Sequence, residues 1–252
     1  MLKKRIIPIQ LLKDGRLVKG QQFANYRDVG DPVSSSGVYN SQIADELIFL
    51  NTNSELGIAP LLTIIEKVSE VAFMPMSVGG GIHSIEDASQ LISQGADKVI
   101  VNSGCYDNYA LLQDIATKFG IQAVVVCIDV RREKGSWHLY SRNGKQRQTI
   151  SLEAHINNCL THGTGELMLQ SIDLDGSMQG YDIELAQYAC KLANVPIIIA
   201  GGSGNYQQLK QAFCKTDISA VACGSLFNFS DSNPIRAKAF LQNHDIPFKK
   251  VK

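Results

Sequence analysis

Two glycine-rich turns carry the clearest chemical signal in the chain. Gly79-Gly80-Gly81 follows an apolar run and precedes Ser84-Ile85-Glu86-Asp87, and Gly201-Gly202-Ser203-Gly204 follows a second run and precedes Asn205. Glycine at a strand end lets backbone N–H groups approach a ligand with no Cβ in the way. A helix starting just behind adds donors and partial positive charge. After each of these units another apolar run ends in Asn102-Ser103 or Gly224-Ser225, whose hydroxyls can donate to the same oxygens. That chemistry is anion binding, and phosphate fits it. The two cups predict a small, elongated ligand with a phosphate at each end, held by Gly80, Gly81, Asn102, Ser103, Gly201, Gly202, Gly224 and Ser225. The plainer alternative is that these glycines only make tight turns; their duplication favours the cups.

A second set of residues bears charge. Asp129 ends the run VVVCID, where an α/β enzyme would place a carboxylate. The first run, RIIPIQLLKDGR, has the same form, an apolar stretch running into a polar turn, but it carries Leu11 at its end. A leucine has no proton to give or take. Arg5, Glu46, Lys98 and Glu166 each open an apolar run. Charges in a protein core are costly unless paired, and two positive with two negative can pair off.

These residues sit on eight nearly continuous apolar runs, at 5–11, 46–51, 73–78, 98–102, 123–129, 166–171, 196–200 and 220–223. Such runs predict strands of a parallel sheet covered on both faces. Amphipathic helices lie between most of them. Ser84 to Asp87 reads as a capping box, Asp182 opens another helix, and Asn233-Pro234 starts the last with proline at its first position. Eight alternating units in one 252-residue chain predict a single (β/α)8 TIM barrel over 1–252. An open doubly wound sheet is the alternative, but no GxGxxG follows the first strand. Residues 76–104 resemble 197–225, and Glu46 corresponds to Glu166, all at offsets of about 120. The barrel should therefore carry a twofold repeat of half-barrels, roughly 1–120 and 121–252. A β-hairpin insertion is predicted at about 131–148, where Asn143-Gly144 favours a type I′ turn. Its basic residues either contact an anionic ligand or are simply solvated.

Composition narrows the partners. Formal net charge is zero, so no global basic field points to nucleic acid or a membrane. No run is long enough for a spanning helix or a signal peptide. The six cysteines are scattered with no metal-ligand spacing, which predicts reduced, mostly buried thiols and a cytoplasmic location. His155 and His162 lie seven apart on a predicted helix without an evident third ligand, so neither a metal nor a cofactor is expected.

The ordered motifs KDGRLVKG, DELIFL, VGGGIH, GADKV, QAVVVCIDVRR, SIDLDGSMQGYD, AGGSG and GSLFNF run through nearly the whole chain. They resemble the cyclase subunit of imidazole glycerol phosphate synthase. That resemblance implies a (β/α)8 barrel holding a ligand with two phosphates between its halves. It implies a heterodimer with a glutaminase subunit docked on the opposite face, whose ammonia passes through the barrel for cleavage and ring closure. By position, Gly81, Asn102, Ser103, Gly176, Gly202, Gly224 and Ser225 correspond to phosphate contacts, with Asp175 beside them. Lys19, on the long loop after strand one, corresponds to a ligand-closing residue. Arg5, Glu46, Lys98 and Glu166 correspond to the ammonia gate. The family's acid and base are carboxylates ending strands one and five; Asp129 matches one, and Leu11 occupies the other position. Gln10, Asn51 and Gln170 also depart from the usual pattern.

Three readings follow. The first is a diverged subunit that keeps the frame but delivers ammonia elsewhere. It resembles members of bacterial surface-sugar pathways, such as O-antigen synthesis, where a separate sugar amidotransferase is a further partner. The second is an ordinary histidine-pathway cyclase. The third is a non-catalytic scaffold that binds a phosphorylated ligand.

Overall fold

The computed structural model describes residues 3–249, apart from the Ser54 side chain. In chain order the strands are β1 (Arg5–Lys13), β2 (Arg16–Gln21), β3 (Ala24–Gly30), β4 (Leu47–Asn51), β5 (Met76–Gly79), β6 (Lys98–Val101), β7 (Val124–Glu133), β8 (Ser136–Ser141), β9 (Gln146–Arg147), β10 (Glu166–Ser171), β11 (Ile197–Ala200) and β12 (Ala220–Cys223). The helices are α1 (Pro32–Ser41), α2 (Ala59–Ser69), α3 (Ile85–Ser93), α4 (Ser103–Asp107), α5 (Ala110–Phe119), α6 (Leu152–Thr161), α7 (Ile183–Leu192), α8 (Tyr206–Lys215), α9 (Ser225–Asn228) and α10 (Pro234–Gln242).

Strands β1, β4, β5, β6, β7, β10, β11 and β12 pair in parallel, each with the next, and β12 pairs with β1. The sheet thus closes into the (β/α)8 barrel that the alternating runs predict. Successive strand side chains point to opposite faces, and here both faces are apolar. Ile7, Ile9, Ile48, Ile100, Val125, Cys127, Met168, Ile198, Ala200, Ala220 and Ala222 fill the interior. Ile6, Leu12, Leu47, Phe49, Val99, Val126 and Leu169 face outward into the helix layer. Helix starts follow their sequence signals. Ser84 Oγ accepts from the Asp87 N–H, and Asp87 returns the bond to the Ser84 N–H. Asp182 caps α7 and Asn233 caps α10, with Pro234 in the first turn.

The two half-barrels carry matching extensions. β1 runs past the barrel and folds back as β2 and β3; β7 does the same as β8 and β9. The second extension is the predicted insertion. The first lies in what reads as a long loop, because residues 19–28 are mostly polar and the turn Gln22-Phe23 contains no glycine. Both turn residues nevertheless have positive φ, 52° and 63°, the backbone that a two-residue primed turn requires. Asn143-Gly144 instead belongs to a four-residue connection between β8 and β9. The tight turn of that extension is Lys134-Gly135, at φ 49° and 85°. One strand is also shifted: the run at 73–78 becomes β5 only from Met76. Phe73 is 80% exposed and lies in the loop leaving α2, ahead of Pro75.

Close backbone approach explains Gly81. It adopts φ +88°, and a Cβ there would sit 2.6 Å from the Gly57 carbonyl carbon. Gly15, at φ +77°, has open space around it. Gly15→Ala should carry only the left-handed backbone cost of about 1–2 kcal/mol, a fall in Tm of roughly 2–8 °C. Gly81→Ala should lose at least twice as much in thermal denaturation; equal losses would show that the Gly57 contact does not hold the turn.

Candidate functional site

The period-two rule lines up functional residues on the inner face of each strand. Arg5 opens β1, Glu46 directly precedes β4, Lys98 opens β6 and Glu166 opens β10. The four meet at the base of the barrel. Arg5 Nη1 is 2.6 Å from Glu46 Oε2, and its other terminal nitrogen bonds Glu166. Lys98 Nζ lies 3.0 Å from Glu46 and 2.9 Å from Glu166. Each cation touches both anions, so the ring is closed and its formal charge balances. The Ser77 hydroxyl donates to Glu46 as well. Burial works against the charge on Arg5, but Glu166 and Glu46 outweigh it and hold the guanidinium above its usual pKa. Above the ring, the interior is apolar up to Ile9, Leu50, Cys127 and Ala222.

At the other end of the strands the barrel opens into a pocket. The structure brings all the mouth residues singled out in the sequence to it: Leu11, Lys19, Gly80, Gly81, Asn102, Ser103, Asp129, Asp175, Gly176, Gly201, Gly202, Gly224 and Ser225. Asp129 is 6% exposed. Its carboxylate accepts from Asn102 Nδ2 at 2.8 Å, and the Cys127 thiol lies 3.6 Å away. Burial pushes its pKa up to about 7, only partly offset by Cys127 and Asn102. Lys19, on β2, reaches in until a Cβ on Gly224 would collide with it. Burial pushes Lys19 down to about 8, against the pull of Asp175. Asp175 is itself raised by burial; it accepts from Gln170 Nε2 at 3.3 Å and the Phe23 N–H at 3.4 Å.

Leu11 points into this pocket, beside Leu50 on β4 and Val18 on β2. No carboxylate stands at the end of β1. Of its altered neighbours, Asn51 and Gln170 line the pocket and Gln10 does not. Gln10 is on the outer face, buried, with both amide atoms lacking hydrogen-bond partners among the described residues. Asn51 spends its amide on the local turn, bonding Asn53 and Gly57. Phe23 and Tyr26, from the first extension, also line the pocket. They are absent from the sequence reading because their turn carries no glycine signal. Burial pushes the Tyr26 phenol up to about 12.

The helices behind the two glycine turns begin with side-chain caps. At the start of α3 the Asp87 carboxylate takes the N–H groups of His83 and Ser84. At the start of α8 Gln208 Oε1 takes those of Gly204 and Asn205. These ends are already capped. The short helices α4 and α9, starting at Ser103 and Ser225, have no side-chain cap. Orphan N–H groups at such ends suit an anionic oxygen, and the two ends stand in corresponding half-barrels. The basic residues of the second extension are mostly matched to surface acids: Arg131 with Asp173, Arg132 with Glu184, Arg142 with Asp107, Lys145 with Glu55. That extension gives the pocket Asn143.

The fold and site together define a (β/α)8 barrel with a balanced charged ring at one end and a polar, titratable pocket at the other. The chain belongs to the histidine biosynthesis protein family, whose model matches residues 5–233. It is 40% identical to imidazole glycerol phosphate synthase subunit HisF of Streptococcus mutans over 248 residues, 98% of this chain and 99% of that one. It is 41% identical to HisF of Exiguobacterium sibiricum over 243 residues, covering 96% and 97% of the two chains. HisF of Alkaliphilus metalliredigens is 38% identical over 252 residues, 99% of this chain and all of that one. No helix among the described residues is long and apolar enough to cross a membrane.

The raised pKa of Asp129 makes a pH prediction. A carboxyl whose folded pKa exceeds its unfolded value stabilises the fold at low pH, and the contribution is lost as pH rises through the folded pKa. Going from pH 4 to pH 8, the wild type should therefore lose stability relative to Asp129→Asn. A carboxyl raised to about 7 corresponds to about 4 kcal/mol at full effect. Denaturant titrations of both proteins across this range measure it; a pH-independent difference would mean Asp129 titrates as an ordinary carboxylate.

Proposed function

We propose that this chain is a glutaminase-coupled barrel subunit that takes in ammonia at its base and holds a phosphorylated ligand at its mouth. In this reading its ammonia serves amidation or amidination of a sugar in surface polysaccharide synthesis, carried out by a separate sugar amidotransferase. The observation that carries the reading is Leu11. It faces the pocket from the end of β1, where the resemblance calls for a general acid or base, and no polar group replaces it on that strand.

The rest of the frame fits delivery. The ring of Arg5, Glu46, Lys98 and Glu166 is complete, and the interior above it is apolar. Such an interior favours neutral ammonia over ammonium, since an unpaired charge there is costly. Around the base, Ile43, Val71, Phe73 and Ile121 are exposed. All four lie in connections that lead from an α-helix into the N-terminal end of the next strand, Ile121 within a single 3-10 turn. Exposed apolar groups clustered on one end mark a docking surface, and a glutaminase subunit is the partner the family provides. At the mouth, the uncapped starts of α4 and α9 together with Lys19 support a ligand with phosphate at both ends.

A second reading has its own support. Asp129, raised to about 7, is suited to general acid–base work near neutral pH, and the chain is similar to HisF subunits throughout its length. It would then be a histidine-pathway cyclase working with one strand-end carboxylate. Turnover separates the two. A positioned proton donor or acceptor is typically worth roughly 10²–10⁴ in rate. With saturating ammonia, the purified protein should turn over the histidine-pathway bisphosphate substrate more slowly than a two-carboxylate family member by about that factor. Turnover comparable to that member would overturn the proposed divergence.

A further inference from the structure

Three ligand-type side chains outside the mouth and the basal ring meet in the helix layer. Cys105 lies in α4, just after the Asn102-Ser103 turn. His155 and Cys159 lie on α6, where four-residue spacing puts both on one face. All three are fully buried. One ligand atom from each lies within 4.8 Å of the other two. Cys159 Sγ is 3.7 Å from His155 Nε2. Zinc bonds of about 2.3 Å to sulfur and about 2.0 Å to nitrogen give tetrahedral edges of roughly 3.5–3.8 Å. The trio therefore needs to close by about 1 Å or less.

The imidazole is already oriented. Tyr109 Oη lies 2.6 Å from its Nδ1, and the Tyr106 ring stacks on it at 4.2 Å, nearly parallel. A hydrogen bond to one ring nitrogen fixes the other for a ligand, and the other here faces sulfur. The second histidine of the predicted helix is not part of the set: His162 Nδ1 lies 2.7 Å from the Asn158 carbonyl oxygen.

We propose that Cys105, His155 and Cys159 form a buried three-ligand site for a thiophilic d10 cation, with Zn²⁺ as the reference ion. Soft thiolates select such ions. Two thiolates, a neutral imidazole and a divalent cation sum to zero charge, which makes burial tolerable. On binding, two S–H bonds break, two metal–sulfur bonds form, and two protons leave for solvent; nothing is oxidised or reduced. A water can complete the fourth position. The Asn102 carbonyl, 2.8 Å from the Cys105 sulfur, keeps the Cys105 N–H as a donor at 3.1 Å. The ion would tie the turn carrying Asn102, which holds Asp129, to α6.

The test uses the full chain, reduced and stripped of metal, titrated with Zn²⁺ and separately with Co²⁺. One ion per chain is expected, with about two protons released and the near-ultraviolet thiolate-to-cobalt bands of a sulfur-bound ion. Binding should weaken at least tenfold in Cys159→Ser and in His155→Gln. The proposal is overturned if the wild type takes up no ion at micromolar concentration, releases no protons, or binds no more tightly than these variants. Stoichiometry, proton count and spectrum are read on the wild type, so a variant that fails to fold leaves the test standing.

Discussion

Barrel closure constrains everything else in this molecule. Once eight parallel strands close on themselves, alternate residues of each strand are committed to the interior. Along β1 these are Arg5, Ile7, Ile9 and Leu11: ring, shaft, shaft, mouth. The other strands repeat the order. Lys98, Ile100 and Asn102 follow it, as do Glu166, Met168 and Gln170, and β7 contributes Val125, Cys127 and Asp129. Charge at the base, an apolar middle and polar chemistry at the top are thus one pattern read every second residue. A one-residue slip would put Ile6 in the ring with Leu12 at the mouth, or Lys4 in the ring with Gln10 at the mouth.

That constraint explains what could be read in the sequence. Buried strands announce themselves as apolar runs, and paired glycine turns mark their mouth ends, so the barrel and most of its mouth were legible. So was the ring, because charge opening an apolar run is rare and four such residues balance. Residues whose role depends on facing were not legible from type alone. Gln10 departs from the family pattern and lies behind the sheet. Asn51 departs from it too and bonds its own turn. The β2–β3 extension stayed hidden because Gln22 and Phe23 adopt positive φ without glycine. The long amphipathic helices that draw the eye cap themselves with Asp87 and Gln208, while the one-turn helices at Ser103 and Ser225 leave their ends open.

The mouth combines groups whose pKa values burial has drawn toward neutrality. Asp129 rises to about 7 and Lys19 falls to about 8, with Asp175 and its Gln170 contact between the two extensions. These groups can still exchange protons with a ligand. What the mouth lacks is the symmetric arrangement that two half-barrels would supply, a carboxylate at the end of both β1 and β7. Leu11 puts an apolar surface against one side of any bound molecule. The pocket thus has a strand-end carboxylate, Asp129, on one side and a leucine at the matching position of β1.

In the proposed function this barrel conducts ammonia to an acceptor outside the histidine pathway. The most direct measurement follows nitrogen. Glutamine labelled with ¹⁵N in its amide is supplied to the glutaminase subunit, this barrel and the sugar amidotransferase, in a large excess of unlabelled ammonium. The account predicts ¹⁵N in the amidated sugar, dependent on the barrel and undiluted by the external pool. Label that is diluted to the level of free ammonium, or incorporated equally well without the barrel, would contradict it.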